Sequence, residues 1–531
     1  MGAPPRFMTY PMFRWLMVSA TGIFLSDRFL SGTSCVGPLY GLSLLAVLVA
    51  AVFCLRGCSY GRRSCFGVAA TVAFGCLGAL AVQLAGEEED LCARGPEGPA
   101  VWRGRVEETP VSRGGFRQAA VRVEAVYDAA ASGWRPVRRR MLLAWKPGVP
   151  DREPVCGERG CFRAAVGRIP VSGGGAGRRY RVRMVRIWLS GGGWQPLPTV
   201  GTSAVVPEAW RWRAWIEGRF RQWGLPADRL ALLQALTLGD RRGLSSEVVA
   251  DYRAAGASHV LALSGLHVGV VALCVLGLFR PLRRWPVGRR LSGVAVVLCL
   301  WVYAFVTGWG VSVVRAVLMY TFYWMASSCG EGRGAGRYGC TLAAFALLLY
   351  QPSYLSDIAF QLSFAAVFAI LLWLPWWERQ MSGCWPVCRW AGSAVAVTCA
   401  AQAGTLPLVL YHFGTWPVYA VVSGLVVVPA AFLLVALTLA ALLMAGVPLV
   451  EDVLVAGVSA VAGAMNRVTA VVGSWPGAQL TGVSVSGVQA AGLGLLLLSA
   501  TAVLLRGPSA GRWIRLLLAA VLAGGAFTFC N

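Results

Sequence analysis

Long apolar runs alternate along the chain with short polar connections that contain Arg, Gly or Pro. A run of about 20 apolar residues is long enough to cross the hydrocarbon core of a bilayer as a helix. The pattern therefore predicts a polytopic α-helical membrane protein with about 13 transmembrane helices. The predicted spans lie near 14–30, 39–55, 66–85, 259–279, 291–308, 311–327, 338–351, 354–376, 393–412, 417–446, 453–473, 488–505 and 513–529. The run at 417–446 is compatible with one long span or with a re-entrant pair.

Residues 97–190 follow a different pattern, in which apolar and polar residues alternate between clusters of Gly, Pro and Ser. Examples are "AAVRVEAVYD" at 119–128 and "RRYRVRMVRIWLS" at 178–190. Alternation with period two is typical of strands, so we expect a small antiparallel β domain, about the size of a five-stranded barrel.

The stretch 208–222 carries tryptophans and arginines at helical spacing, which predicts an amphipathic helix on the membrane surface. Two shorter helical stretches, at 226–238 and 245–254, follow it. We expect four parts: three transmembrane helices, the β domain, surface helices and a second transmembrane domain. Their boundaries are 1–85, 86–200, 201–258 and 259–531.

The composition supports a membrane protein, because 57% of the 531 residues are hydrophobic and only 14% are charged. A soluble globular protein has about 25% charged residues. The chain has 48 Lys+Arg against 24 Asp+Glu, a net charge of +24. Such an excess of positive charge indicates contact with a polyanion, either nucleic acid or anionic lipid.

Arginines also indicate how the spans are oriented. Clusters of Arg occupy alternate connections on the side of the N-terminus, whereas only Arg28 and Arg467 lie near span ends on the opposite side. The positive-inside rule then places the N-terminus in the cytoplasm, with the β domain and the C-terminus outside it. We expect the first apolar run to be a retained anchor, because two further spans follow it.

Half of the excess charge lies in the β domain, which holds 19 Lys+Arg and 7 Asp+Glu across 101–186. A strand face with spaced cations and an aromatic ring can follow a phosphate backbone and stack bases. The alternative is a solubilising edge strand. The residues of this candidate DNA-binding face are Arg179, Tyr180, Arg181, Arg183 and Arg186.

Cys156 and Cys161 flank "GERG" in the same domain. In an oxidising compartment they could form a disulfide, and two free thiols are the alternative. A zinc site would need two further ligands, and no His lies in the domain, so no metal site is expected.

Polar residues inside the spans are costly and indicate function or partners. His259, His267 and Ser264 fall on one broad face of a continuous helix over 259–279. Asp357 and Gln361 share a face of the span 354–376. A hydrated path for a polar substrate explains these residues best, with helix-to-helix hydrogen bonds or an intramembrane hydrolase using Ser264 and His267 as alternatives. The candidate path residues are Asp240, Arg241, His259, Ser264, His267, Arg315, Asp357, Gln361, Gln402 and His412.

The stretch "ALTLGDRRGLSSEVVADYRAAGASHVLALSGLHVGVV" at 235–271 resembles the signature of the ComEC family of DNA-uptake channels. It matches the family's Leu-Gly-Asp-Arg turn and its Ser-Gly-Leu-His-Val-Gly motif. Similar segments follow in family order at 311–319, 352–367 and 400–417. The resemblance implies that 97–190 is an exported OB-type barrel and that 259–531 is the competence channel domain.

Two departures from the family pattern stand out. Ser423 occupies a position where the family often has Asn. Many members also continue into a metallo-β-lactamase-like nuclease domain with a histidine-rich metal motif, and with three histidines in other motifs we expect no such domain here.

The resemblance implies transport of single-stranded DNA across the bacterial inner membrane during natural transformation. The chain has no Gly-x-x-x-x-Gly-Lys-Ser/Thr loop, so we expect a separate ATPase or helicase to pull the strand. Further expected partners are membrane lipids, a DNA receptor on the exported side and a separate nuclease. We expect no cofactor and no enzymatic activity. The alternatives are a permease or exporter for a small polar metabolite and, third, the intramembrane hydrolase.

Overall fold

A computed structural model defines the architecture of the protein. The residues it describes are 11–29, 72–82, 100–106, 111–113, 116–128, 133–146, 154, 158–167, 186–196, 205–241, 243–329, 332–483 and 485–506. The chain forms two compact units. One comprises 1–20, 213–350 and 354–531, and the other comprises 21–212 and 351–353. The spans predicted near 39–55 and 513–529 lie outside the described residues.

Among the described residues, two helices precede the β domain, α1 (Pro11–Phe29) and α2 (Val72–Val82). They fall within the spans predicted near 14–30 and 66–85. A Cβ on Gly22 would lie 2.2 Å from the carbonyl oxygen of Gly75, so glycine allows the two backbones to approach closely.

Six strands form the β domain. They are β1 (Ala100–Val106), β2 (Val111–Arg113), β3 (Phe116–Asp128), β4 (Gly133–Trp145), β5 (Arg159–Gly167) and β6 (Arg186–Pro196). Antiparallel pairings join β1 to β3, β3 to β4, β1 to β5 and β5 to β6. β4 and β6 pair in parallel, which closes five strands into a ring, while β2 pairs with β3.

The prediction of an entirely antiparallel β domain was therefore wrong at one pairing. A closed ring of five strands cannot alternate direction throughout, because an odd number leaves one neighbouring pair running the same way. The pair that does so here aligns Leu142 to Ala144 with Arg186 to Trp188.

The inside of the ring is filled by alternate residues of each strand, as period-two alternation requires. Along β1, Trp102, Gly104 and Val106 are buried, and the intervening residues are more exposed. The indole N–H of Trp102 donates to the carbonyl oxygen of Ala164 at 2.9 Å, so this buried polar group has a partner. Phe162 lies in the same core and, when fully buried, contributes about 2 to 3 kcal/mol of hydrophobic stabilisation.

The first five α-helices described after the β domain lie between 205 and 278. They are α3 (Val205–Gln222), α4 (Ala227–Leu238), α5 (Ser246–Ala254), α6 (Ser258–Leu261) and α7 (Gly265–Leu278). α3 covers the predicted surface helix, and its Trp212 and Trp215 are about half exposed. Its Phe220 is fully buried together with Leu232 and Leu236 of α4. The second half of α3 therefore has one apolar face in the helical core.

The prediction of a continuous helix over 259–279 was wrong. The chain leaves helical geometry after α6, because Ala262 and Ser264 have extended backbone angles, and it re-enters a helix at Gly265. Serine at 264 favours this break, since its short polar side chain is typical of the residue that precedes a helix.

The remaining helices are α8 (Pro286–Val306), α9 (Val311–Ser328), α10 (Ala335–Tyr350), α11 (Ile358–Gln380), α12 (Pro386–Phe413), α13 (Ala420–Leu443), α14 (Pro448–Gly473) and α15 (Gly487–Arg506). Five helices of the described part of the chain are long and apolar enough to cross a membrane: α8, α11, the segment Ala391–Phe413 of α12, α13 and α14. The protein is thus a mostly helical, membrane-embedded polytopic protein. α13 is one continuous helix, which answers the question of one span or a re-entrant pair at 417–446.

Two short strands pair antiparallel outside the helices. β7 (Thr415–Pro417) follows α12, and β8 (Gln479–Thr481) follows α14. Nearby, the rings of Tyr419 and Trp475 meet edge to face with their centroids 5.1 Å apart. These contacts therefore join the segment that precedes α13 to the segment that follows α14.

Candidate functional site

The break between α6 and α7 brings Ser264 and His267 together. The backbone N–H of Ser264 donates to Nδ1 of His267 at 3.2 Å, and Oγ of Ser264 lies 3.2 Å from the same nitrogen. An N–H donor requires a lone pair on Nδ1, so the neutral imidazole carries its proton on Nε2. His267 is fully buried, and its Nε2 has no hydrogen-bond partner in the part of the chain that the structure describes.

This contact resembles one half of a capping box, in which the third residue of a helix reaches back to the backbone before it. Helix capping thus accounts for the closeness of Ser264 and His267. His259 is on α6, before the break, and its side chain is exposed while remaining within electrostatic range of His267. The three residues that were predicted to share one helical face therefore belong to two helices and the joint between them.

The Leu-Gly-Asp-Arg turn packs directly on this joint. Gly239 ends α4 with φ +75°, and a Cβ at this position would lie 2.5 Å from Cδ1 of Leu263. Next to it, Oδ2 of Asp240 is 4.0 Å from Nη2 of Arg213 on α3. Arg241 is exposed, and its carbonyl oxygen accepts from the N–H of Leu244. The turn therefore ends α4 and lies next to both α3 and the break between α6 and α7.

Arg315 on α9 is buried to 3% exposure. Its Nη2 donates to Oγ of Ser312 at 3.0 Å, whereas its Nε and Nη1 have no hydrogen-bond partner among the described residues. Tyr354 and Asp357 lie within electrostatic range of the guanidinium. A buried guanidinium with unsatisfied N–H groups is costly, so this position favours an anionic or hydrated neighbour.

Asp357 is the N-cap of α11, since Oδ1 accepts the N–H of Ala359 at 3.0 Å. The span predicted to begin near 354 was wrong at its start, and Asp357 precedes the helix by one residue, although the N–H of Gln361 still donates to the carbonyl oxygen of Asp357 at 3.0 Å. The α-helix begins at Ile358, because an aspartate at this position satisfies a backbone N–H that the first turn leaves open.

Gln361 and His412 meet across α11 and α12. Nε2 of Gln361 donates to the carbonyl oxygen of Leu355 at 2.8 Å, which leaves Oε1 of Gln361 3.4 Å from Nε2 of His412. His412 therefore donates from Nε2. Gln402 is also on α12, but ten residues earlier, which is about 15 Å along a helix. The structure places it apart from this pair.

Ser423 makes a contact that the sequence left open. Its side chain is fully buried, and its Oγ is 2.5 Å from the carbonyl oxygen of Ala255 and 3.2 Å from that of Ala420. Gly256 follows Ala255 with φ +76°, and a Cβ there would lie 2.4 Å from Cβ of Ala420. α13 is therefore packed against the turn that leads to His259.

The β domain carries an aromatic and cationic group that the sequence analysis missed. Cζ of Arg103 lies 5.0 Å from the centroid of the Trp134 ring, and Tyr127 meets Trp134 edge to face at 5.6 Å. Both rings are about 40% exposed. The sequence signal for Arg103 as a member of this group was its alternation with Trp102 and Gly104, which are buried.

The residues predicted to bind DNA are not the ones in this group. Arg179, Tyr180, Arg181 and Arg183 lie outside the described residues, and Arg186 is the first residue of β6.

Cys156 also lies outside the described residues. Cys161 is a free cysteine on β5, and burial raises the pKa of its thiol. The disulfide thus gains no support. Among the described residues, no group of three or more His, Cys, Asp or Glu side chains could hold a metal ion.

Comparison with known proteins defines the class. A family model described as "Competence protein" matches residues 236–507, just over half of the chain, and this segment contains the break, the Arg315 position and the Gln361–His412 pair. The protein therefore belongs to the competence protein family, and the sequence resemblance to the ComEC family is confirmed.

Three curated relatives carry related names. ComE operon protein 3 of Bacillus subtilis (strain 168) is 35% identical over 205 residues, 39% of this chain and 25% of the relative. Competence protein ComA of Neisseria gonorrhoeae is 28% identical over 206 residues, 35% of this chain and 28% of the relative. Recombination protein 2 of Haemophilus influenzae is 28% identical over 231 residues, 40% and 28% of the two chains. The matches thus span about a quarter of these relatives, and no solved structure matches the chain.

Proposed function

We propose that the protein carries single-stranded DNA across the bacterial inner membrane during natural transformation. The observation that carries this proposal is the family match over 236–507. This segment contains the buried polar groups of the unit that comprises 1–20, 213–350 and 354–531, which is called the helical unit from here on. Polar side chains in a membrane-embedded unit persist where they have partners or water. Arg315 and the Gln361–His412 pair supply a cation and polar groups that a phosphate backbone could pass without a deep binding site.

The β domain would collect the strand as an OB-type barrel. Its strand order supports this assignment, because five strands close into a ring through one parallel pairing between β4 and β6. OB-folds bind oligonucleotides on the face of their second and third strands, which correspond here to β3 and β4. Tyr127 and Trp134 lie on these two strands, and Arg103 on β1 covers Trp134. Exposed rings beside a cation suit base stacking.

Several finer features belong to the same proposal. The helical unit would have about 13 spans together with the segments outside the described residues, with a cytoplasmic N-terminus and the β domain and C-terminus on the exported side. We propose a channel without enzymatic activity. A receptor, a separate nuclease and a cytoplasmic ATPase or helicase would act with it.

The proposal is tested by uptake of labelled DNA. In a transformable host whose own family member is deleted, this chain should restore entry of labelled DNA into the cytoplasm. Growth on minimal medium should not depend on it. Normal uptake without any family member, combined with a growth defect, would instead favour a permease.

Binding by the full chain in nanodiscs tests the barrel. Arg103→Gln with Trp134→Ala should weaken binding of single strands and reduce its salt dependence, because a phosphate contact and a stacking ring are lost. Arg283→Gln with Trp285→Ala is the control, since it removes the same two residue types from an exposed segment of the helical unit. Equal effects of the two pairs would contradict a binding face on the barrel.

A further inference from the structure

An apolar cavity of about 120 Å³ lies between α11, α12 and α15. Trp373, Trp376 and Trp377 of α11 form one wall, and Ala396, Cys399 and Thr501 complete it from the other two helices. A cavity of this size holds an apolar group about as large as benzene. It is therefore large enough for a segment of a hydrocarbon chain and too small for a whole lipid.

Almost none of the surface that lines the cavity belongs to polar atoms. The indole N–H of Trp373 donates to Oγ1 of Thr501 at 2.8 Å, and that hydroxyl donates to the carbonyl oxygen of Leu497. The indole nitrogen of Trp377 is buried and lies against Gly392, where a Cβ would be only 3.4 Å away. The cavity consequently offers three indole ring surfaces and almost no hydrogen-bonding atoms, so its occupant is a group without polar atoms.

The cavity also lies near one end of the three helices. α11 ends at Gln380, three residues after Trp377, and α12 begins at Pro386, ten residues before Ala396. α15 ends at Arg506, five residues after Thr501. Arg379 and Arg389, which are exposed, lie at the corresponding ends of α11 and α12. Three helix ends near the cavity therefore each carry an arginine.

Basic residues at helix ends next to an apolar site match the two parts of an anionic lipid. Arginine at the membrane surface interacts with anionic headgroups, and tryptophan is enriched at the depth where headgroups meet acyl chains. α11 and the segment Ala391–Phe413 of α12 are both long and apolar enough to cross a membrane, so lipid is the surrounding solvent of this site.

We propose that this cavity binds one acyl chain of an anionic phospholipid, whose phosphate is held at the surface by Arg379 and Arg389. The chain segment fills the space between the tryptophans and α12. The bound lipid would hold α15 against the α11–α12 hairpin, at the position where the Trp373–Thr501 hydrogen bond joins α11 to α15.

A photoactivatable phospholipid with a diazirine in its acyl chain tests the proposal. The full chain is reconstituted in nanodiscs that contain this probe with a phosphatidylglycerol or a phosphatidylcholine headgroup, and cross-linked peptides are identified by mass spectrometry. We expect the phosphatidylglycerol probe to label peptides that contain Trp373 to Trp377, Cys399 or Thr501 severalfold more than the phosphatidylcholine probe does. Labelling that is equal at all lipid-exposed helices, or equal for the two headgroups, would overturn the proposal.

Two variants separate the cavity from the surface charges. Ala396→Phe fills the cavity and should abolish the preferred labelling, whereas Val302→Phe, on an exposed position of α8, should leave it unchanged. Arg379→Gln with Arg389→Gln should remove the preference for phosphatidylglycerol while the protein remains folded, because both side chains are exposed. Retention of the preference in both Ala396→Phe and the arginine variant would contradict the site.

Discussion

Oε1 of Gln361 and Nε2 of His412 lie 3.4 Å apart, although 51 residues separate them in the chain. The contact joins α11 to α12 near the first turn of one helix and the last turn of the other. Gln361 is held from its other side by the carbonyl oxygen of Leu355. The side-chain amide of Gln361 is thus held in one orientation, and its Oε1 accepts a hydrogen bond from Nε2 of His412.

If this pair acts as a unit, its two residues should not contribute independently to DNA uptake. Gln361→Ala and His412→Ala should each reduce uptake severalfold, because each leaves a partly buried polar partner unsatisfied at about 1 to 3 kcal/mol. DNA uptake by the double variant should be no lower than uptake by the more strongly impaired single variant. Gln402→Ala is the control on α12. Additive losses in the double variant would show that the two residues act separately.

Replacements of His267 should distinguish helix capping from a role in transport. Gln can act at the third position of a capping box, so His267→Gln should keep the thermal stability of the purified protein. His267→Leu should lose about 1 kcal/mol. If uptake remains normal in the Gln variant, His267 is a structural residue. A stable Gln variant with impaired uptake would assign His267 to the path.

Gly256→Ala should destabilise the protein strongly. The new Cβ would combine a left-handed backbone with a 2.4 Å approach to Cβ of Ala420, and both are unfavourable. Gly269→Ala is the matched control, because nothing lies within 4 Å of a Cβ there. Thermal unfolding in detergent should show a large loss for Gly256→Ala and none for Gly269→Ala. Equal stability of the two variants would mean that α13 can move away from the turn.

Ser423→Ala should cost about 1 to 2 kcal/mol of stability, because the buried carbonyl oxygen of Ala255 loses its hydroxyl donor. Ser474→Ala removes a hydroxyl that bonds a backbone carbonyl at an exposed position and should change stability little. The comparison is made by thermal unfolding of both variants under identical conditions. An equal loss of stability in both variants would show that the burial of Ser423 does not cause the loss.

In the described part of the chain, the apolar pattern predicted where helices lie, and five of these helices are long and apolar enough to cross a membrane. The apolar pattern did not predict the break at Ala262 to Ser264, because apolar residues in an extended turn have the same composition as apolar residues in a helix. Ser264 with His267 three residues later has the spacing of a capping box, and this was the signal available. The meeting of Gln361 and His412 depends on how two helices pack, which spacing within one helix cannot reveal.

The β domain shows the same limit. Alternation in "AAVRVEAVYD" correctly predicted a strand at 119–128, within β3. The parallel pairing of β4 with β6 follows from ring closure, which no single strand encodes. The Arg103–Trp134 contact joins β1 to β4, two strands that are not direct neighbours in the ring, so the sequence order gave no indication of it.

The pairing of β7 with β8 has a consequence for biosynthesis. Thr415 pairs with Thr481, so the sheet cannot form until the ribosome has delivered more than 60 further residues. At about 5 to 20 residues per second this takes several seconds, during which α13 and α14 are synthesised first. Strand pairing can then occur only after both helices have entered the membrane with their free ends on the same side. The two-stranded sheet therefore forms late in biosynthesis, because a hairpin in which only one of the two helices crosses the membrane would leave Thr415 and Thr481 on opposite sides.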